Sequence, residues 1–265
     1  MNRIKAIIKI LTDKTRLSQN DISVLDINEE LVEAIKTKPF PLNHDTNKLL
    51  DRNNFYIENN KTNSKELFTD KNGVKYPSWI KNDETLGDDW LLNDSYYPFY
   101  HQIYNSLATN MTNPKLLEIG VRTGYSAIVF AKAINSKCKY IGIDSNIYIK
   151  DGLELTRKTT DILTQEITGF DSILIQGYSS RSNIQATINL NGPYEFIHID
   201  GEHTYLGKLI DLYIAKNNIS HNGFVLVDDI SHHKMIQDAI SVSIKLGWFQ
   251  KYTTINTLRG LAILQ

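Results

Sequence analysis

The second half of the sequence predicts a doubly wound α/β domain, preceded by a helical and loop-rich extension. Three observations point there. From residue 115 to the end, short apolar runs alternate with amphipathic stretches, the rhythm of repeated strand–helix units. Polar residues or glycines stand where those runs stop, at Glu118–Gly124, Asp144, Gly177, Asp200 and Asp228–Asp229. The 265 residues also suffice for one large domain, or a medium domain with an extension, that buries a core without disulfides or a structural metal. Alternating βα units imply a parallel sheet with helices on both faces, and ligands of such sheets sit beyond the carboxyl ends of the strands.

Taken in order, residues 115–120 (KLLEIG) form a short apolar strand closed by glycine, and 125–134 have helical spacing. Residues 139–144 (KYIGID) make the second strand and 153–167 the second helix. SILIQG at 172–177 follows, then a polar helix, then YEFIHID at 194–200. Residues 204–217 are amphipathic, GFVLVDD at 223–229 is the most apolar strand, and 235–246 are helical. WFQKYTTI and LRGLAIL close the chain as two strand-like pieces.

Residues 1–95 have another character, and the domain boundary is placed at 95/96. Ile4, Ile7, Ile8 and Leu11 lie on one face of a short amphipathic helix, read as packing on the domain or on a partner subunit. Residues 27–38 are helical, acidic at the start and basic at the end as the helix dipole favours, and Pro39 stops them. The Asn/Lys-rich tract 44–76 reads as loop, with Asn72-Gly73 as a turn. Trp79, Trp90, Tyr96, Tyr97, Phe99 and Tyr100 form an aromatic cluster, either core or a lid over a ligand. The extension is expected to act as a lid or a homo-oligomer contact.

Composition narrows the function. Lys plus Arg number 29 and Asp plus Glu 30, so the net charge is 29 − 30 = −1, and a nucleic-acid partner is not expected. One cysteine, Cys138, forms no internal disulfide. No apolar run reaches the ~18 residues a membrane span needs, and a cytoplasmic location is the default expectation.

Residues 118–126 read E-I-G-V-R-T-G-Y-S. Gly120 and Gly124 bracket the strand-to-helix turn, where glycine allows positive φ and close approach of a ligand. The spacing is G-x-x-x-G, not the G-x-G-x-x-G of a dinucleotide site, and Glu118 before it would repel a pyrophosphate. Asp144 follows twenty residues after Gly124 at a strand end, where an acid accepts hydrogen bonds from ribose hydroxyls; capping the next helix is its structural alternative.

The pattern E-x-G-x-x-x-G resembles motif I of the class I S-adenosylmethionine-dependent methyltransferases, and G-Y-S-A looks like the catechol O-methyltransferase branch. The resemblance implies a Rossmann-like seven-stranded sheet, mostly parallel with the last strand antiparallel, and S-adenosylmethionine as cofactor. By it, Glu118 lies near the methionine end, Gly120 and Gly124 shape the turn, and Tyr125 and Ser126 offer amides at the helix start. Asp144 with Ser145 takes the ribose, and Gly177, Tyr178 and Ser179 the adenine. Arg122 departs from motif I loops that carry a middle glycine, and Asp200 borders both cofactor and acceptor.

FIHIDGEHTY (196–205) and FVLVDDI (224–230) place Asp200, Asp228 and Asp229 on neighbouring strand ends. Crowded carboxylates repel unless a cation or protons neutralise them, and an all-oxygen set favours Mg²⁺ or Mn²⁺. The two motifs resemble those of metal-dependent O-methyltransferases, D-G-x-H-T-Y being closest to the macrolide-sugar branch; cephalosporin-hydroxylase-like proteins share related motifs. His203 is the expected base, or else a loop-orienting histidine, and Asp200 is the base if no metal binds. His232 and His233 either extend the metal site toward Zn²⁺ or Fe²⁺ or face solvent at a helix start, and His198 is read as structural. The expected reaction is Mg²⁺-assisted O-methylation of a small hydroxylated acceptor, a sugar or vicinal diol. The rivals are a nucleic-acid or protein methyltransferase, a nicotinamide oxidoreductase, and a degenerate methyltransferase-fold subunit without turnover.

Overall fold

The computed structural model describes residues 67–69, 75–77, 103–104, 107–108, 111–147, 152–231, 233–255 and 259–265. The expected helices at 4–11 and 27–38 and the aromatic cluster at 79–100 lie outside the described residues. Within the tract read as loop, β1 (Leu67–Thr69) and β2 (Lys75–Pro77) pair antiparallel on either side of Asn72-Gly73.

Every apolar run after residue 115 becomes a strand: β3 (Lys115–Ile119), β4 (Cys138–Asp144), β5 (Phe170–Gln176), β6 (Tyr194–Ile199), β7 (Ile219–Val227), β8 (Tyr252–Ile255) and β9 (Leu261–Leu264). Between them lie α1 (Tyr125–Ile134), α2 (Gly152–Glu166), α3 (Ser182–Asn191), α4 (Tyr205–Asn218) and α5 (Lys234–Lys245). They form one seven-stranded sheet in the order β5-β4-β3-β6-β7-β9-β8. The first five strands of that order are parallel, while β9 runs antiparallel to both β7 and β8. The Rossmann-like sheet with its reversed last strand is therefore present. Strand order reverses between β3 and β6, which is where such sheets open a crevice at their carboxyl ends.

Period-two alternation divides the strands between two cores. Leu117, Ile141, Ile197 and Val225 face α3, α4 and α5. Leu116, Tyr140, Phe196 and Leu226 face α1, α2 and the helical residues Ile103, Tyr104, Leu107 and Ala108. Each such apolar side chain contributes roughly 1.5–3 kcal/mol on burial. Thr204 caps α4 by accepting a hydrogen bond from the Gly207 amide, at 3.1 Å. Among the described residues no helix is long and apolar enough to cross a membrane.

Candidate active site

The strand ends are stitched into one rim by main-chain hydrogen bonds. The amides of Gly120, Gly177, Asp200 and Asp228 donate to the carbonyls of Ile143, Asp144, Ile119 and Ile199 at 2.8, 2.7, 2.8 and 3.1 Å. Gly120, Asp144, Gly177, Asp200 and Asp228 thus share this rim. Gly120 sits at φ +97°, and a Cβ there would lie 2.2 Å from the Asp200 carbonyl oxygen, so only glycine lets the two loops touch. Gly124, at φ +82°, sets the left-handed entry into α1, and Arg122 is left-handed too, at φ +55°.

Asp144 ties this loop together. Its carboxylate accepts the Arg122 and Asn146 amides, each at 2.6 Å. A carboxylate has about four acceptor positions, so two remain for a ligand's hydroxyls, and the side chain is only partly buried. It does not cap α2: the Leu153 amide donates to Asn146 instead, at 3.1 Å. Ser145 is half-buried beside it, and Tyr178 is exposed with Arg181 over its ring at 5.9 Å. Ser179 turns its hydroxyl away to Asp211, at 2.5 Å.

Glu118, expected near the methionine end, turns into the sheet's core beneath the cofactor loop. It shares the sheet face of Leu116, which turns it inward against its register partner His198. There its carboxylate accepts hydrogen bonds from Ser126 and from Tyr140, and His198 Nδ1 lies 2.9 Å away. Burial alone would lower the His198 pKa, but the hydrogen bond and charge of Glu118, with Asp200 and Asp228 beyond, raise it. The pair is a buried ion pair of the kind that costs little only when fully hydrogen-bonded. The network continues through Tyr104, whose hydroxyl is 3.5 Å from His198 Nε2 and donates to Asp228 at 2.8 Å. A hydrogen-bonded chain thus runs from Ser126 at the cofactor loop to Asp228 at the opposite end of the rim. His198 is structural, as expected.

The three rim carboxylates do not converge. Asp228 spends its oxygens on Tyr104 and on the Asp229 amide, at 2.8 Å each. Asp229, at φ +65° and 1% exposed, is gripped by Arg259: Nε lies 2.5 Å from Oδ1 and the terminal nitrogen 2.6 Å from Oδ2. His203 reaches between the two loops, its Nε2 3.2 Å from Asp229 Oδ2 and 3.6 Å from Asp200 Oδ1. Among the described residues, the His/Cys/Asp/Glu group whose ligand atoms all lie within 4.8 Å of one another is His203, Asp229 and His233, not Asp200, Asp228 and Asp229. His233 packs its ring 4.9 Å from that of His203, and His232 lies outside the described residues. Mg²⁺ takes oxygen ligands at about 2.1 Å in a strict octahedron, whereas the three rim carboxylates do not bring their ligand atoms within 4.8 Å of one another and Asp229 Oδ2 faces the Arg259 guanidinium. The side chains as arranged do not fit that ion.

Charge at the rim follows from these partners. Burial works against the Asp200 carboxylate, but the hydrogen bond and charge of His203, with His198 and Arg259 beyond, hold its pKa well below the usual range. Its side chain keeps 37% of its surface exposed, so burial weighs less there than at its neighbours. Burial pushes Asp228 up, and the charge of Asp200 adds to it. Burial and the charges of Asp228 and Asp200 push Asp229 up against Arg259 and Lys208, which favour its ionised form. Beneath the loop, Asp211 is 1% exposed and pushed up to about 6 by burial, opposed by Lys208 and the Ser179 hydroxyl. Lys208, Asp211, Arg259 and Tyr104 were not singled out from the sequence. The available signal was a Lys–Asp pair three residues apart on the buried side of an amphipathic helix, and an Arg-Gly pair in the final hairpin.

A family described as a methyltransferase domain matches residues 117–230. No curated protein matches the sequence. Among solved structures, an O-methyltransferase from Bacillus cereus in complex with S-adenosylhomocysteine is 14% identical, with a TM-score of 0.50 over 71% of this chain and 94% of that one. The O-methyltransferase TomG from Streptomyces achromogenes, involved in tomaymycin synthesis and solved with S-adenosylmethionine, is 14% identical, with a TM-score of 0.49 over 71% of this chain and 93% of that one. Residues 117–230, somewhat less than half of the chain, thus match a methyltransferase domain, and the seven-stranded sheet built around that stretch has the fold of the Bacillus cereus O-methyltransferase.

Proposed function

We propose that the protein methylates a hydroxyl oxygen of a small molecule, a sugar or vicinal diol, with His203 as the base. The observation that carries this reading is the place of His203: a third of its side chain is exposed, on the loop that Gly120 touches, with its Nε2 between Asp229 and Asp200. S-adenosylmethionine supplies an electrophilic methyl on sulfur. The Gly120–Gly124 turn, the amides opening α1 and the two open acceptor positions of Asp144 form the cradle for it.

Two carboxylates around Nε2 favour the tautomer that carries its proton there, leaving Nδ1 to accept the acceptor's hydroxyl proton. As the O–H bond breaks and the oxygen forms its bond to the methyl carbon, the imidazole becomes imidazolium. Asp200 and Asp229 stabilise that charge, and bound S-adenosylmethionine would supply the methyl, its sulfur keeping the electron pair of the S–C bond. General-base help of this kind contributes about 10²–10⁴-fold; alignment of the two reactants contributes the rest. A near-neutral chain and an acidic rim suit an uncharged small acceptor better than a nucleic acid.

The test is transfer of labelled methyl from S-adenosylmethionine to a panel of sugars, catechols and other diols, read as labelled product together with S-adenosylhomocysteine. His203→Ala is expected to lower kcat by about 10²-fold or more and to leave S-adenosylhomocysteine affinity within a few-fold. Tight cofactor binding without transfer to any hydroxyl would instead favour the subunit without turnover.

A further inference from the structure

We infer that Arg259 is the built-in cation of the acidic rim, standing where a divalent ion would otherwise neutralise Asp229, so that this active site works without a metal. The inference rests on the reading of the rim as the acceptor side of a methyltransferase. Its geometry is specific. A terminal nitrogen of Arg259 donates to Asp229 Oδ2 at 2.6 Å, and Nε lies 2.5 Å from Oδ1, a close charge contact without hydrogen-bond geometry.

The arginine is also fixed at its own backbone. Its carbonyl accepts the Ser231 amide at 2.7 Å, and the Gly260 carbonyl accepts the Ile230 amide at 3.2 Å. Gly260 has φ +75°, and a Cβ there would lie 2.1 Å from Ser231 Oγ, so the hairpin before β9 is pressed directly onto the loop that follows β7. The antiparallel pairing of β9 with β7 is what carries it there: Ala262 pairs with Val227, one residue before Asp228. With 1% exposure at Asp229 and 15% at Arg259, the pair is shielded from solvent and salt.

The consequences are electrostatic. A dication at Asp229 would share its two oxygens with a guanidinium already in contact with them, and like charges at that spacing repel strongly. Asp229, fixed in rotation by Arg259, presents Oδ2 to His203 Nε2 at 3.2 Å. Arg259 is in this sense a positioning residue for the base.

Titrating Mn²⁺ alone into the full-length protein, followed by calorimetry, tests this directly and needs no acceptor. No stoichiometric binding is expected in the wild type. Arg259→Gln should bind Mn²⁺ at least about a hundredfold more tightly, because a repelling charge is removed and a buried carboxylate is released. Arg259→Lys should restore the exclusion, which a merely structural role would not do. S-adenosylhomocysteine binding by the same samples reports that each variant is folded. Where an acceptor is in hand, methyl transfer by the wild type should survive dialysis against EDTA unchanged. One-to-one Mn²⁺ binding by the wild type, or EDTA-abolished transfer restored by Mg²⁺, would overturn the role of Arg259 and leave the O-methyltransferase reading standing. Absence of transfer under every condition would remove that reading, while the Mn²⁺ titration would still decide the cation.

Discussion

Gly120→Ala separates conformational strain from steric overlap at the centre of the rim. The left-handed backbone, at φ +97°, costs an alanine about 1–2 kcal/mol. The added methyl would also lie 2.2 Å from the Asp200 carbonyl oxygen and 2.6 Å from the Gly201 nitrogen, both main-chain atoms that cannot rotate away. The two loops must part by about 1 Å, which strains the Asp200 amide's 2.8 Å bond to Ile119, itself worth about 1 kcal/mol. Together these give about 2–3 kcal/mol, or a fall in Tm of roughly 4–12 °C for a domain of this size. Gly124→Ala is the control: its φ of +82° carries the same strain, but the nearest contact is 3.1 Å to a Thr156 methyl, so about 1–2 kcal/mol is expected. Thermal unfolding of both variants, with S-adenosylhomocysteine titration of each, makes the comparison. A Gly120→Ala protein that melts with Gly124→Ala would refute the claim that backbone contact between the β3 and β6 loops builds the rim.

Three other outcomes are expected. Asp211 titrates near 6 when folded against 3.8 in the unfolded chain, so between those values the unfolded state is ionised and the folded state keeps its proton. Stability should therefore fall by about 3 kcal/mol as pH rises through that window, and Asp211→Asn should flatten the slope, as measured by urea unfolding at several pH values. Tyr104→Phe leaves a buried Asp228 oxygen without its 2.8 Å donor and should cost about 1–3 kcal/mol at neutral pH. Because that donor favours the ionised carboxylate, the cost should shrink at acid pH, where Asp228 is protonated in both proteins. Thr204→Ala removes the cap of α4, and a loss of about 1 kcal/mol is expected in chemical denaturation.

The sheet was legible because each strand is an apolar run ended by a polar residue, and each helix a separate amphipathic stretch. Boundaries moved mainly where pairing extends a strand beyond its apolar centre. Strand β7 begins at Ile219, four residues before its apolar run, because α4 delivers the chain directly to its pairing with Tyr194. The pairing of β1 with β2 is not legible in the sequence, since three-residue strands carry too little periodicity.

The site was legible as an arc of strand ends but not in its detail. The motif places Glu118 near the methionine end of the cofactor but does not tell that its parity with Leu116 and the register of β3 against β6 turn it onto His198. Reading alternate residues across neighbouring strands could have shown this. Arg259 could not be placed from local pattern at all, because only the reversal of β9 brings it to Asp229. Three acids at neighbouring strand ends suggest a cation, and the sequence hides that a guanidinium thirty residues after Asp229 lies against that carboxylate.

The most direct test of the account is calorimetric titration of S-adenosylhomocysteine into the wild type and Asp144→Ala. The cradle described above requires saturable one-to-one binding in the wild type, weakened at least about tenfold when the carboxylate that joins the Arg122 and Asn146 amides is removed, the equivalent of 1.4 kcal/mol. Absence of binding by the wild type, or equal affinity in the two proteins, would contradict the placement of the cofactor at the ends of β3 and β4.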